Sequence, residues 1–104
     1  MAPKPIKGIV QKFRKALQKA EFPSCNIIVF GSYARDEARP DSDIDLCLVS
    51  PAFRRGKEKY RKEATFIAFG IDPRIQVIAA DPRELKTNQL SPLYSQIRKE
   101  GIAA

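Results

Sequence analysis

Residues 31–46 read GSYARDEARPDSDIDL, and this stretch decides the fold because it sets two kinds of phosphate-handling residue a fixed distance apart. Gly31-Ser32 directly follows the apolar run Asn26 to Phe30. The pair is therefore predicted to stand where a strand ends and exposes free backbone N–H groups, which suit phosphate oxygens. Ten residues separate the pair from Asp43, and Asp43 and Asp45 are then spaced i, i+2 in a second apolar run. On a strand, that spacing sends both carboxylates to one face while Ile44, Leu46 and Leu48 take the other. Two acids on one face repel unless a cation lies between them. A Gly-Ser cradle opposite a carboxylate pair implies a site for a nucleoside triphosphate and a divalent metal.

Outward from this segment, the hydrophobic period changes in an orderly way. Ile6, Ile9, Val10, Phe13, Ala16, Leu17 and Ala20 fall on one face of a helix running to about Glu21, with Pro23 as its stop. Strands are predicted over Asn26 to Phe30, Asp43 to Val49 and Arg74 to Ala80, with Arg39-Pro40-Asp41-Ser42 turning into the second. Tyr33 to Glu37 is predicted as a short helix behind the Gly-Ser pair. A longer helix is predicted over Lys57 to Phe69, with Tyr60, Ala64 and Ile67 on one side and Gly70 as C-cap. Ser91 caps a last helix that starts at Pro92, buries Leu93 and Ile97 and ends at Gly101. The expected fold class is α/β (α+β): a small mixed sheet with helices packed on it, in the order α-β-α-β-α-β-α. Residues 1–104 are expected to form a single domain, since this length supports one core.

Composition narrows the chemistry further. There is no histidine, which removes the commonest general base and most zinc sites and leaves carboxylate and oxygen chemistry of the Mg²⁺ kind. Cys25 and Cys47 form no CxxC pair and border or enter apolar strands, so both are expected to be buried free thiols. No apolar stretch approaches the ~18 residues of a membrane span. MAPKPIKG lacks the apolar core of a secretory signal, so a cytoplasmic location is expected. Lys and Arg outnumber Asp and Glu by 19 to 12. Lys4, Lys7, Lys12, Arg14, Lys15 and Lys19 form one basic cluster, and Arg54, Arg55, Lys57, Lys59, Arg61 and Lys62 a second. Such clusters attract polyanions, among them nucleic acid, nucleotide phosphates or an acidic partner; the alternative is a solvated helix face.

The spacing Gly-Ser, ten residues, Asp-x-Asp resembles that of the minimal nucleotidyltransferases, single-domain members of the DNA polymerase β superfamily. The string ARPDSDIDL, the order of elements and the ending SPLYSQIRKEG extend the likeness over nearly the whole chain. The resemblance implies transfer of a nucleoside monophosphate, usually AMP from ATP, to a hydroxyl. Gly31 and Ser32 would hold the β- and γ-phosphates, with Arg35 near enough to touch one. Asp43 and Asp45 would hold Mg²⁺ and serve as the catalytic pair. It also implies a role as antitoxin beside a HEPN-type ribonuclease toxin, with a tyrosine or other hydroxyl of that partner as acceptor.

Two departures from the family pattern stand out. Asp36 occupies a position where the family usually has glycine. More consequentially, the family draws a third carboxylate from the last strand, which here reads Arg74-Ile75-Gln76-Val77-Ile78, and Gln76 aligns with that acid. A Gln carbonyl carries no net charge, so a second metal would be held less well. Asp72 and Asp81 would substitute only in a shifted register. One reading is therefore an active nucleotidyltransferase; another is a protein of this fold with impaired transfer that neutralises its partner by binding. A weaker third reading is a basic nucleic-acid-binding module.

Overall fold

The computed structural model describes residues 2–104. After a 3-10 turn at Lys4–Ile6, helix α1 spans Lys7–Lys19 and buries Val10, Phe13 and Leu17. It closes before Pro23 is reached. The Phe22 N–H bonds back to the Leu17 carbonyl and the Glu21 N–H to that of Gln18, both at 3.0 Å, while Glu21 turns left-handed at φ 56°. This is a Schellman ending, with glutamate where glycine is the unstrained choice.

Strand β1 (Asn26–Phe30) pairs antiparallel with β2 (Ile44–Val49), setting Phe30 opposite Asp45. Helix α2 (Lys57–Phe69) then crosses over and delivers β3 (Ile75–Ala80) parallel to β2. A parallel neighbour requires a crossover of this kind, because a tight turn would reverse the chain. After β3 come α3 (Pro82–Thr87), α4 (Pro92–Glu100) and β4 (Ile102–Ala103), the last pairing antiparallel with β1. The sheet order is β3-β2-β1-β4.

Alternation along the strands divides the core in two. Ile27, Val29, Ile44, Leu46, Leu48, Ile75, Val77 and Ala79 join Phe13, Phe53, Ala64 and Ala68, so α1 and α2 cover this face. Phe30, Cys47, Val49 and Ala80 pack with Leu85, Tyr94 and Ile97 from α3 and α4 on the other. Asp45 and Gln76, themselves register partners, lie on that second face because they are two residues before Cys47 and Ile78 on their strands. Both cysteines are free, Cys47 buried and Cys25 partly so, and burial pushes the Cys47 thiol up to about 12. None of the described helices is long and apolar enough to cross a membrane.

The expected order of elements is present with two additions and several shifts. Helix α3 was hidden in Asp81-Pro82-Arg83-Glu84: Asp81 is its N-cap, accepting from the Glu84 N–H at 3.4 Å, and Pro82 opens the first turn. Strand β4 has two residues, too few for any period to show. In α4, Ile97 is buried as expected, but Tyr94 turns inward in place of Leu93, which is 36% exposed. At Gly31-Ser32 the chain makes a single 3-10 turn, Gly31–Tyr33, which starts two residues before the predicted Tyr33–Glu37 helix. The turn ends as the Ala34 and Arg35 N–H groups converge on the Gly31 carbonyl and Asp36 goes left-handed at φ 57°. A glycine at position 36 would relieve that backbone.

Candidate active site

Gly31 leaves β1 at φ 77°, and a Cβ on it would collide with the Asp45 carboxylate. Both facts demand glycine. Its backbone consequently lies directly against Asp45, so the phosphate-type and metal-type groups that are ten residues apart in sequence meet at one end of the sheet. Ser32 follows, half-buried, and its hydroxyl has no hydrogen-bond partner among the described residues.

Asp43 is exposed and stands just outside the pairing, which begins at Ile44, whose N–H donates to the Arg74 carbonyl at 2.8 Å. Asp45 is half-buried on the strand proper. Desolvation raises its pKa above the ordinary carboxylate value, the charges of Asp43 and Glu100 push it further, and Arg35 opposes them. The acids therefore crowd one another, and a cation placed between Asp43 and Asp45 would relieve a repulsion the fold already bears.

Arg35 is not a free cation. Its Nε donates to Glu37 Oε1 at 2.6 Å and its Nη1 to both Glu100 oxygens at 3.1 Å. Glu100, the final residue of α4, also accepts from the Gly31 N–H at 2.8 Å and from Gln96 Nε2 at 2.7 Å. Burial pushes the Glu100 carboxyl up, but Gly31, Gln96 and Arg35 outweigh it and hold the pKa below the usual glutamate value. Neither Glu100 nor Gln96 stood out in the sequence. The signal available was an acid in the last turn of a helix, where the backbone carbonyls disfavour it, immediately before Gly101.

Gln76 is exposed and pairs in register with Asp45. The two acids flanking β3 are engaged elsewhere: Asp72 binds Arg74 at 2.9 Å, and Asp81 caps α3 at the far end of the strand. Arg74 in turn reaches the Tyr33 hydroxyl and the Pro40 carbonyl, tying the start of β3 to the loop that carries the site. Among the described residues no group of three or more His, Cys, Asp or Glu is arranged to hold a metal ion. Two carboxylates are nevertheless the usual protein share for Mg²⁺, which completes its shell with water and substrate phosphate. The residues present thus fit one such ion held jointly with a nucleotide.

The basic clusters divide. Lys4, Lys7, Lys12, Lys15 and Lys19 are exposed, whereas Arg14 donates to the Ala104 carbonyl at 2.6 Å. In the second cluster Arg61 is paired with Glu58, and Lys57 with Glu84 and the Tyr94 hydroxyl. Part of the positive charge is thereby spent internally.

Comparison with known proteins agrees with this geometry. The nucleotidyltransferase domain family matches residues 10–103. A Methanocaldococcus jannaschii protein named "putative protein adenylyltransferase" is 34% identical, the match covering 93% of this chain and 69% of that one. Among solved structures, a nucleotidyltransferase of Sulfolobus solfataricus, its function inferred, superposes with a TM-score of 0.58 at 19% identity, over 94% of this chain and 83% of its own. A toxin-antitoxin structure with AMP-PNP gives a TM-score of 0.55 at 20% identity, over 89% of this chain and 69% of its own. The fold, the Gly31–Asp45 junction and the family match agree: the chain belongs to the nucleotidyltransferase domain family.

Proposed function

We propose that this enzyme transfers AMP from ATP, with Mg²⁺, to a hydroxyl on a partner protein. The observation that carries the reading is the contact of the Gly31 backbone with the Asp45 carboxylate. It brings phosphate-binding and cation-binding groups to one point, with the Ser32 hydroxyl beside them. Asp43 and Asp45 would hold Mg²⁺, which when bound neutralises charge developing on the α-phosphate and the leaving pyrophosphate. Gly31 and Ser32 would orient the β- and γ-phosphates, and Arg35 would add positive charge once drawn from its carboxylates. The acceptor oxygen bonds to the α-phosphorus, the bond to the β-phosphate oxygen breaks, and the hydroxyl proton passes to water. A histidine is not needed for this chemistry.

The relative named for protein adenylylation supports a protein acceptor and the toxin-antitoxin neighbour an antitoxin role; that the toxin would be of HEPN type rests on the family resemblance alone. Incubation with Mg²⁺, labelled ATP and the co-purifying partner should label that partner. Asp43→Asn and Asp45→Asn should abolish the label while leaving circular dichroism unchanged. An unlabelled partner in a complex that still forms would overturn the transferase reading. One observation favours the second reading, neutralisation by binding alone: the strand position beside Asp45 carries Gln76 in place of an acid.

A further inference from the structure

Glu100 sits where helix electrostatics disfavour an acid, and its two neighbours in the same turn, Arg98 and Lys99, have the sign that position prefers. Its carboxylate is nonetheless held by three donors: the Gly31 N–H, Arg35 Nη1 and Gln96 Nε2. Gln96 lies one turn back on α4 and fixes the carboxylate in place. The other two donors belong to the phosphate half of the candidate site. Carboxylate and phosphate oxygens make the same demand of an N–H or a guanidinium. While Glu100 is seated, these donors are unavailable to a nucleotide.

Resting on the nucleotide-site reading above, we propose that Glu100 is an internal anion that fills the phosphate cradle until a polyphosphate displaces it, and so determines which anions the site accepts. A single phosphate must break the contacts of a resident carboxylate and enter beside Asp43, Asp45 and Glu100, all acidic. A triphosphate with its cation brings more contacts and neutralises the acids it meets. Glu100 thereby selects for anion valence. The displacement is a rotation of the side chain, because the end of α4 is tied to the sheet: Gly101 lies so close to β1 that a Cβ there would collide with Ile28, and β4 directly after it pairs with β1.

Glu100→Gln tests this, since glutamine keeps the volume and an acceptor oxygen for Gly31 but loses the charge that competes for Arg35. Calorimetric titration of the wild type and Glu100→Gln with Mg-ATP and with Mg-tripolyphosphate should show about tenfold tighter binding of both to the variant. Binding to the variant that is equal or weaker, with the wild type still binding, overturns the proposal and leaves the nucleotide site standing. A wild type that binds neither compound overturns both. A second measurement uses the unaltered protein. In ¹H–¹⁵N spectra, tripolyphosphate should move the Gly31 backbone amide and the Gln96 side-chain amide together, while orthophosphate at equal concentration should move neither. Shifts at Ser32 and Arg35 with Gly31 and Gln96 unmoved would show the carboxylate still seated and would overturn the proposal.

Discussion

Replacing Gln76 by Asp should make stability depend on divalent cation with opposite signs in its absence and presence. Gln76 and Asp45 are register partners on adjacent parallel strands, which places their backbones about 4.8 Å apart. Two like charges near 5 Å repel by about 1 to 3 kcal/mol for effective dielectric constants between 80 and 20. Position 76 is exposed, so the lower figure of about 1 kcal/mol applies. Without a divalent cation Gln76→Asp should therefore melt about 4–8 °C below the wild type. With Mg²⁺ the same carboxylate should become a third ligand, if Asp43 and Asp45 hold the ion as proposed. At 100 times its dissociation constant a ligand adds about 2.7 kcal/mol, which lifts the variant above the wild type at a Mg²⁺ concentration that loads three carboxylates but not the wild type's two. Thermal melts of the wild type, Gln76→Asp and the neutral control Gln76→Asn, in EDTA and in Mg²⁺, read this directly. The control separates lost strand propensity, worth up to ~1 kcal/mol, from charge. Melting temperatures of Gln76→Asp and Gln76→Asn that respond equally to Mg²⁺ would refute the placement of position 76 at the cation site. Transfer activity of Gln76→Asp or Gln76→Glu should rise in parallel.

Asp45 has a folded-state pKa raised above its ordinary value, so at neutral pH its charge burdens the native state more than the unfolded one. Asp45→Asn should stabilise the cation-free protein at pH 7 by no more than about 1 kcal/mol, given the solvent that still reaches the carboxylate. The gain should vanish as pH falls below the unfolded carboxylate pKa, and melts of both proteins across pH would expose a gain that persists in acid. Gly31→Ala should lose at least about 2 kcal/mol in urea unfolding, from left-handed backbone plus collision with Asp45; a midpoint matching wild type would contradict the packing described. Glu21→Gly should raise the urea midpoint by about 1 kcal/mol in free-energy terms, because the Schellman position favours glycine, and should leave ATP binding unchanged. A thiol reagent at pH 8 should modify Cys25 well before Cys47, whose thiol is buried and pushed up to about 12; equal rates would mean the α4 face opens far more readily than its packing implies.

The parts of the fold read directly from the chain are those with a long period or a stereochemical marker. Three strands and the three longer helices follow from apolar spacing, and Gly31-Ser32 with Asp43 and Asp45 follows from the residue types that phosphate and cations require. Short elements escaped: β4 has two residues, and α3 announces itself only through the Asp81 cap and Pro82. The partners of charged groups escaped as well. Arg35 appears in sequence as an available cation, whereas its guanidinium is shared between Glu37 and Glu100, the latter 65 residues away. No local pattern records a pairing made by tertiary packing. Gln76 lies between these cases: its alignment beside the acidic pair was an expectation from the family pattern, and the register of β2 with β3 sets it opposite Asp45.

The parallel β2–β3 ladder has a consequence for how such a protein changes over time. Hydrogen-bonded register is discrete: a strand residue faces its neighbour or is displaced by a whole step of about 3.3 Å, which also flips its side chain to the other face. Position 76 cannot drift gradually toward or away from Asp45. What varies there is charge alone, by exchange of one side chain on a backbone that stays put. If position 76 governs transfer as proposed, a transferring protein and one that only binds can be a single codon apart on this ladder, with the backbone and its surroundings the same in both.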